Sequence, residues 1–483
     1  MKKYIKFKTA TFLFAVMLVT SCSNLIEVTP RQSIDSATAL SNGDAINAAM
    51  NGVYDRFQST NLYGRDFLAI PDALADNGRA TNKSGRLNPE YNNQSGAHFV
   101  NWTTAYIAIN QVNLIIDALP NIKDLTQAQK DAVEGEATFL RAILYHDLLR
   151  AYSYDPGTEI ALYNRGGVPL LLKGVLSLSS ISFPARASIA DCYTQVIKDL
   201  NNAIAKIPKA SNSRAPIYAT QGAAQALLSR VYLYNRDYAN SAKLATDALA
   251  SGVGRFLDNG AYIGGFRSPS NPESMLELVY TVPENIGVNT SLQTSYTTLF
   301  ELGNRTRTAG FGDLVPSATL LAAMEAEKNG TVVLDIRRQL YELGTAGRGT
   351  AAIECTKFLG KNGAANLDNV PVIRISEMYF NRAEANYSLG KETDALADVN
   401  ILRKRVGLVE LKDLKGTALL AEILKQKRIE FAFEGHRWFD MKRLGMDIVK
   451  IPSTIPFTDF RILAQIPTGE ITNNPNLKQN FGY

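Results

Sequence analysis

The sequence is poor in the side chains that most metal and nucleophile chemistry requires. Its 483 residues hold three histidines, three cysteines and two tryptophans. His98, His146 and His436 fall in separate segments, and no H-E-x-x-H or paired-cysteine motif occurs, so a zinc site has no framework. His436 and Asp440 stand four apart and would share one face of a helix. Two ligands make a poor metal site, and a hydrogen bond within a packed charged layer is the better reading. A G-x-S-x-G nucleophile elbow is missing, and so is G-x-x-x-x-G-K-[ST]. The glycine cluster at 344–350 lacks the flanking strand and helix of a phosphate loop and reads as a plain loop. No catalytic residue, metal or cofactor is assigned. Glycosidase carboxylate pairs are set by distance in space, so that one enzyme class stays open.

Long apolar runs are also scarce. The one clear run is A-T-F-L-F-A-V-M-L-V from Ala10 to Val19, behind Lys2, Lys3, Lys6 and Lys8. It is shorter than the roughly 20 residues that span a bilayer but suits the core of a signal peptide. It ends in V-T-S-C, a match to a bacterial lipobox, so residues 1–21 are expected to leave and Cys22 to carry lipid as the mature N-terminus. The competing reading is an ordinary secreted chain with a chance cysteine. A lipobox cysteine normally takes several acyl chains, enough for stable anchoring. The chain is thus expected to be tethered to a membrane and not to span it; the leaflet is left open, with Glu27 the only early acid.

Nor is there a large charge of one sign. The formal +5 loses the four leader lysines and becomes +1, which leaves no basic footprint for nucleic acid. Of the remaining cysteines, Cys192 lies on the apolar stripe of a helix, which favours a buried free thiol, although export permits a disulfide with Cys355.

What is present is helical periodicity. From Ser188 to Pro208 the apolar residues Ile189, Cys192, Tyr193, Val196, Ile197, Leu200, Ala203, Ile204 and Ile207 recur at spacings of three and four. Ser188 with Asp191 marks the start and Pro208 the stop. Further helices are predicted over 127–151, 219–251 and 375–405, the last two broken at Asn235-Arg236-Asp237 and Leu389-Gly390-Lys391. These hairpins resemble tetratricopeptide units, where small residues let paired helices approach. Leu228, Ser229, Tyr232, Tyr238, Ser241 and Ala248 fit in one; Ala383, Gly390, Ala395 and Val399 fit in the other. A third unit joins Ala142 and Tyr145 to Ala203 and Pro208 across the loop 153–187. With no linker in sight, 22–483 reads as one mainly α domain: a tetratricopeptide-like helix-pair scaffold, an α-α superhelix carrying long irregular loop insertions at about 62–101 and 252–316. Generic helix pairs without superhelical stacking are the plainer alternative. Long loops in a compact domain are often functional.

The segment R-I-E-F-A-F-E-G-H-R-W-F-D-M-K-R at 428–443 is the most unusual. As one helix it would align Glu430, Glu434 and Arg437 on one face and Phe431 with Trp438 on the next. Such charge beside aromatics predicts buried ion pairs that need partners, and Gly435 in mid-helix predicts close backbone packing.

At this segment the chain resembles the SusD/RagB family of outer-membrane nutrient-binding lipoproteins from Bacteroidetes. The resemblance rests on E-F-A-F-E-G-H-R-W-F-D-M-K-R from Glu430 and V-I-R-I-S-E-M-Y-F-N-R-A-E-A from Val372. It extends to C-S-N-L-I-E-V-T-P from Cys22, N-W-T-T-A-Y-I-A-I-N-Q-V-N from Asn101, E-A-T-F-L-R-A from Glu136, G-G-V-P-L from Gly166, R-A-S-I-A-D-C-Y from Arg186 and the last eighteen residues, where Phe481 replaces a common proline. It implies a non-catalytic lipoprotein on the cell exterior that presents a loop-built ligand face. It further implies a SusC-like TonB-dependent barrel as partner, on which the lipoprotein sits as a hinged lid. The ligand implied is a glycan, or in some members a peptide. Trp102 and Trp438 fall inside family motifs, so an aromatic platform must use Tyr or Phe. The candidates are Tyr91, Tyr262, Phe266, Tyr296 and Phe311, with Asp76, Asn77 and Arg79 as polar partners; exchanging Tyr262 or Tyr296 for Ala is expected to weaken binding without unfolding. A helical-repeat protein–protein adaptor and a surface glycosidase or peptidase are the competing functions.

Overall fold

The computed structural model describes residues 39–347, 349–450 and 453–483. The leader, Cys22 and Glu27 lie outside the described residues.

The chain is mainly helical, and its long helices pair as the small-residue pattern predicts. Gln127–Tyr152 starts at a capping box of Thr126 and Gln129, and packs along Ile189–Lys206. Ser188 caps the latter: its Oγ accepts from the Asp191 N–H at 3.0 Å and donates to the Asp191 carboxylate at 2.6 Å. Arg141 locks the pair with two bonds to Asp199 of 2.8 and 2.7 Å. Next come Gln221–Tyr234 and Tyr238–Leu249, then Ile375–Ser388 and Glu392–Arg405, and Gly416–Glu430 closes the row. The two hairpin breaks sit where the sequence placed them; Arg236 and Gly390 turn the chain at φ 60° and 72°. Ser229 and Ser241 show why small residues recur there. Each hydroxyl donates to the other's backbone carbonyl across the helix pair, at 2.9 and 3.0 Å, which larger side chains would prevent. A further pair, Gly43–Phe57 with Trp102–Ala118, begins the row.

The predicted insertions are less irregular than their composition. The helix Asp66–Leu74 is buried along its whole length. The strand Ser274–Leu278 is buried too and pairs antiparallel with Val370–Arg374 against the helix row. The first part of the 62–101 segment and the middle of 252–316 are therefore core.

The 428–443 segment is not one helix. Gly416–Glu430 ends, the chain turns through Phe433 (φ 66°) and Gly435 (φ 79°), and Arg437–Arg443 begins anew. The face shared by Glu430, Glu434 and Arg437 therefore does not exist. The close packing at Gly435 does: a Cβ there would lie 2.5 Å from the Phe67 carbonyl oxygen. His436 stacks on Phe431 with centroids 4.3 Å apart, while Asp440 binds Lys427 at 2.8 Å and Arg443 at 2.7 Å. Burial first, and nearby cations after it, pull the His436 pKa down to about 3, so the imidazole stays neutral. Cys192 and Cys355 are free and buried.

Candidate functional site

A buried charge cluster fastens the loops to the helix row. Arg374, at the end of its strand, meets Glu273 at 2.8 Å, Glu430 at 3.0 Å and Glu434 at 2.7 Å. Arg405 holds the other oxygen of Glu273 at 2.8 Å, Arg337 binds Asp335 at 2.6 Å, and the Lys357 ammonium donates to Glu434. Four cations thus face the four carboxylates Glu273, Asp335, Glu430 and Glu434, all nearly inaccessible to water. Burial alone would push the Glu434 carboxyl up, but Arg374 and Lys357 outweigh it and hold it below the usual range. Glu430 is held low in the same way by Arg405, Arg374 and Arg337. Balance of this kind is what lets ions persist in a core.

Four of the eight sequence candidates belong to this interior. Tyr262 is buried and donates its hydroxyl to Glu430 at 3.1 Å, with Arg405 4.6 Å over its ring. Phe266 packs edge-on against Tyr262 at 5.5 Å. Tyr296 is fully buried against Phe433, centroids 4.9 Å apart. Asn77 is buried, donating to Asp72 at 2.8 Å and accepting from Arg428 at 2.8 Å. These four are buried, so truncating Tyr262 or Tyr296 is expected to cost stability, against the expectation from sequence. Asp76 is half-buried and engaged by Arg437 at 2.7 Å. Burial would raise its pKa, but the Arg437 hydrogen bond and charge lower it on balance. It is a joint between the loop and the 437–443 helix.

Arg79, Tyr91 and Phe311 do reach the surface. Arg79 stands exposed on the strand Gly78–Ala80, which pairs with Leu314–Pro316. Tyr91 is half-buried with the Lys450 ammonium 5.0 Å over its ring. That ammonium donates to the Ala73 and Leu74 carbonyls, at 2.8 and 2.9 Å, where the 66–74 helix ends; burial brings its pKa down to about 7. Phe311 borders an open depression of about 310 Å³ lined by Val288, Thr308, Ala309, Gly310 and Gly347. The Arg86 guanidinium lies 4.3 Å over the Phe311 ring and is itself fixed by Asp313 at 3.3 Å and the Asn289 carbonyl at 2.6 Å.

A second buried carboxylate holds this face in shape. Glu354 accepts from the Thr297 hydroxyl at 3.0 Å, the Thr298 hydroxyl at 2.8 Å and Lys83 at 3.3 Å. Gly344 is required beside it, since a Cβ there would collide with the carboxylate. Residues 344–347, 349 and 350 form neither helix nor strand, as the sequence indicated. Arg86, Val288, Thr308 and Lys450 were missed by sequence reasoning, and no local pattern marks them; Arg86, Thr308 and Lys450 acquire their places through partners far away in the chain. No cluster of three metal-binding side chains occurs among the described residues.

Two family models match the sequence. The model described as SusD family covers residues 353–483, and that described as starch-binding associating with outer membrane covers 26–233. SusD-like protein P38 of Formosa agariphila is 23% identical over 527 aligned residues, covering 99% of this chain and all of that protein. The starch-binding protein SusD of Bacteroides thetaiotaomicron is 31% identical over 124 residues, 24% of this chain and 22% of that protein. The crystal structure of a SusD superfamily protein from Bacteroides thetaiotaomicron superposes with a TM-score of 0.79 at 26% identity, covering 90% of this chain and 99% of that one.

Proposed function

Since the chain belongs to the SusD/RagB family, we propose that it is a cell-surface lipoprotein that captures a nutrient and delivers it to a SusC-like TonB-dependent transporter. An oligosaccharide is the favoured ligand and a peptide the second. The chain is held to the outer membrane through lipid on Cys22, faces the exterior, and acts as a lid: ligand bound on the loop face is enclosed against the barrel, and closure commits it to import. Binding, not turnover, is the activity.

The observation that carries this reading is the depression beside Phe311. Phe311 lines a recess open to solvent together with Thr308, Ala309 and Gly310. Sugar rings present an apolar C–H face and equatorial hydroxyls, and such a wall offers something to each. The recess is preorganised, because Arg86, Asp313 and Glu354 fix the loops that form it, and preorganisation lowers the entropy cost of capture. Arg79 and Tyr91 are kept as outlying contacts.

Titration calorimetry of the mature chain against polysaccharides and peptides tests this. Phe311→Ala is expected to weaken binding at least about tenfold, the value of one well-buried aromatic contact, with an unchanged melting temperature. Undiminished affinity would remove this face from consideration. Mass spectrometry of what co-purifies with the lipidated protein tests the partner: a stoichiometric TonB-dependent barrel is expected, and its absence would favour the adaptor role.

A further inference from the structure

A second feature lies away from the loop face. In the segment 175–183, V-L-S-L-S-S-I-S-F, the large apolar side chains point outward: Leu176 is 67% exposed, Leu178 87%, Ile181 44% and Phe183 49%. No charged residue occurs between Lys173 and Arg186. Scattered exposed leucines need no explanation, but these four stand within eight residues. Ile107 on the neighbouring helix is also 47% exposed. It shares a helix face with Thr103, Asn110 and Leu114; Asn110 accepts from the Val175 N–H at 2.8 Å, and Leu114 packs on Gly174.

The ridge is held in place. Asn110 also donates to the Val175 carbonyl at 3.2 Å, Asn474 to the Pro184 carbonyl at 2.9 Å and Asn476 to the Phe183 carbonyl at 2.7 Å. Between these anchorages a short 3-10 turn, Leu178–Ser180, carries the apolar tip outward.

We propose that this ridge is a reversible membrane contact, lying on the same lipid surface to which the chain is tethered. The inference rests on the reading that Cys22 carries the anchor. An apolar groove of about 460 Å³ is lined by Ala39 and Leu40, the first described residues, together with Leu114, Ile115, Ala118 and the ridge's own Leu176. Ala39 therefore lies beside the ridge. The stretch from Cys22 to Ala39 reaches at most about 60 Å when extended, so a Cys22 anchor lets this flank reach the bilayer and limits how far it can leave. The form of the ridge also favours lipid over protein. Its side chains protrude singly between serines and do not make a flat packed face, and it lacks the Trp, Tyr and Arg anchors of protein hot spots. A fluid apolar surface accepts such side chains without matching their shape.

The test uses residues 22–483 with Cys22→Ser, which removes the lipid and leaves the ridge. This chain is expected to co-sediment with vesicles of phosphatidylethanolamine and phosphatidylglycerol at 3:1, and with vesicles that also contain lipopolysaccharide. Adding Leu178→Ser and Phe183→Ser should reduce the bound fraction by at least about tenfold, since burial of apolar area drives the contact, and leave the melting temperature unchanged. No sedimentation with either vesicle, or equal sedimentation of the double variant, would overturn the proposal. Loss of a co-purifying barrel by the double variant without any vesicle binding would overturn it in favour of a protein interface. The mass of the Cys22 peptide from the native protein is measured separately: an unmodified cysteine sinks the anchor reading, while vesicle binding by the ridge is read independently.

Discussion

Arg374→Met is the most informative single change in the scaffold. The guanidinium contacts Glu273, Glu430 and Glu434 within 3.0 Å, and methionine keeps much of the stem while removing the charge. Removing one partner from a buried ion cluster costs about 3–5 kcal/mol, because the remaining charges lose their compensation. Unfolding entropy is roughly 2.1 cal/mol/K per residue, so a loss of about 4 kcal/mol lowers the melting temperature of a chain this long by roughly 4 °C. The pH dependence is more discriminating. Glu430 and Glu434 are held below the usual carboxylate range in the folded state, so their stabilisation is complete above the unfolded value of about 4.3. It is lost as pH falls through the folded values. Without Arg374 those folded values rise, so the variant loses less than the parent on acidification. The difference in stability, measured by calorimetry or urea titration, is therefore expected to be largest at pH 7 and to shrink below about pH 4.5. A difference that is absent at pH 7, or the same at both pH values, would refute this account of the cluster.

Tyr262→Ala should destabilise the fold by about 3–5 kcal/mol, as for other large buried aromatics, because it empties a buried site and removes a donor from Glu430; a melting scan reads this directly. Gly435→Ala forces a Cβ toward the Phe67 carbonyl at a positive φ and should cost about 2–4 kcal/mol in urea titrations. Burial raises the Cys192 thiol to about 11 and the Cys355 thiol to about 12. Neither is expected to react with a disulfide reagent at pH 8 in the native chain, and both should react in guanidinium.

The helix pairs were legible in the sequence because their signals are local: a cap, an apolar stripe, a small residue, a break. Ser229 and Ser241 could be read as packing positions twelve residues apart without knowing what lay around them. The charge cluster was half legible. Its carboxylates Glu430 and Glu434 announced a need for partners, yet Arg374, Arg405 and Lys357 come from distant segments. The continuous helix expected over 428–443 fails because the spacing of Glu430, Glu434 and Arg437 is a pattern of side chains, whereas Phe433 and Gly435 change the backbone itself. Among the loop aromatics, Tyr262 and Tyr296 look like Tyr91 in sequence. Only the strand pairing of Ser274–Leu278 and contacts such as Tyr296 with Phe433 separate interior from surface.

The position of the charge cluster bears on how such a protein can change over generations. The ion pairs grip the loop excursions at their roots, at Glu273 and Arg374, while the tips near Val288 and Thr308 draw on separate bonds. Substitutions or insertions at those tips are then expected to leave the thermal tolerance of the framework unchanged.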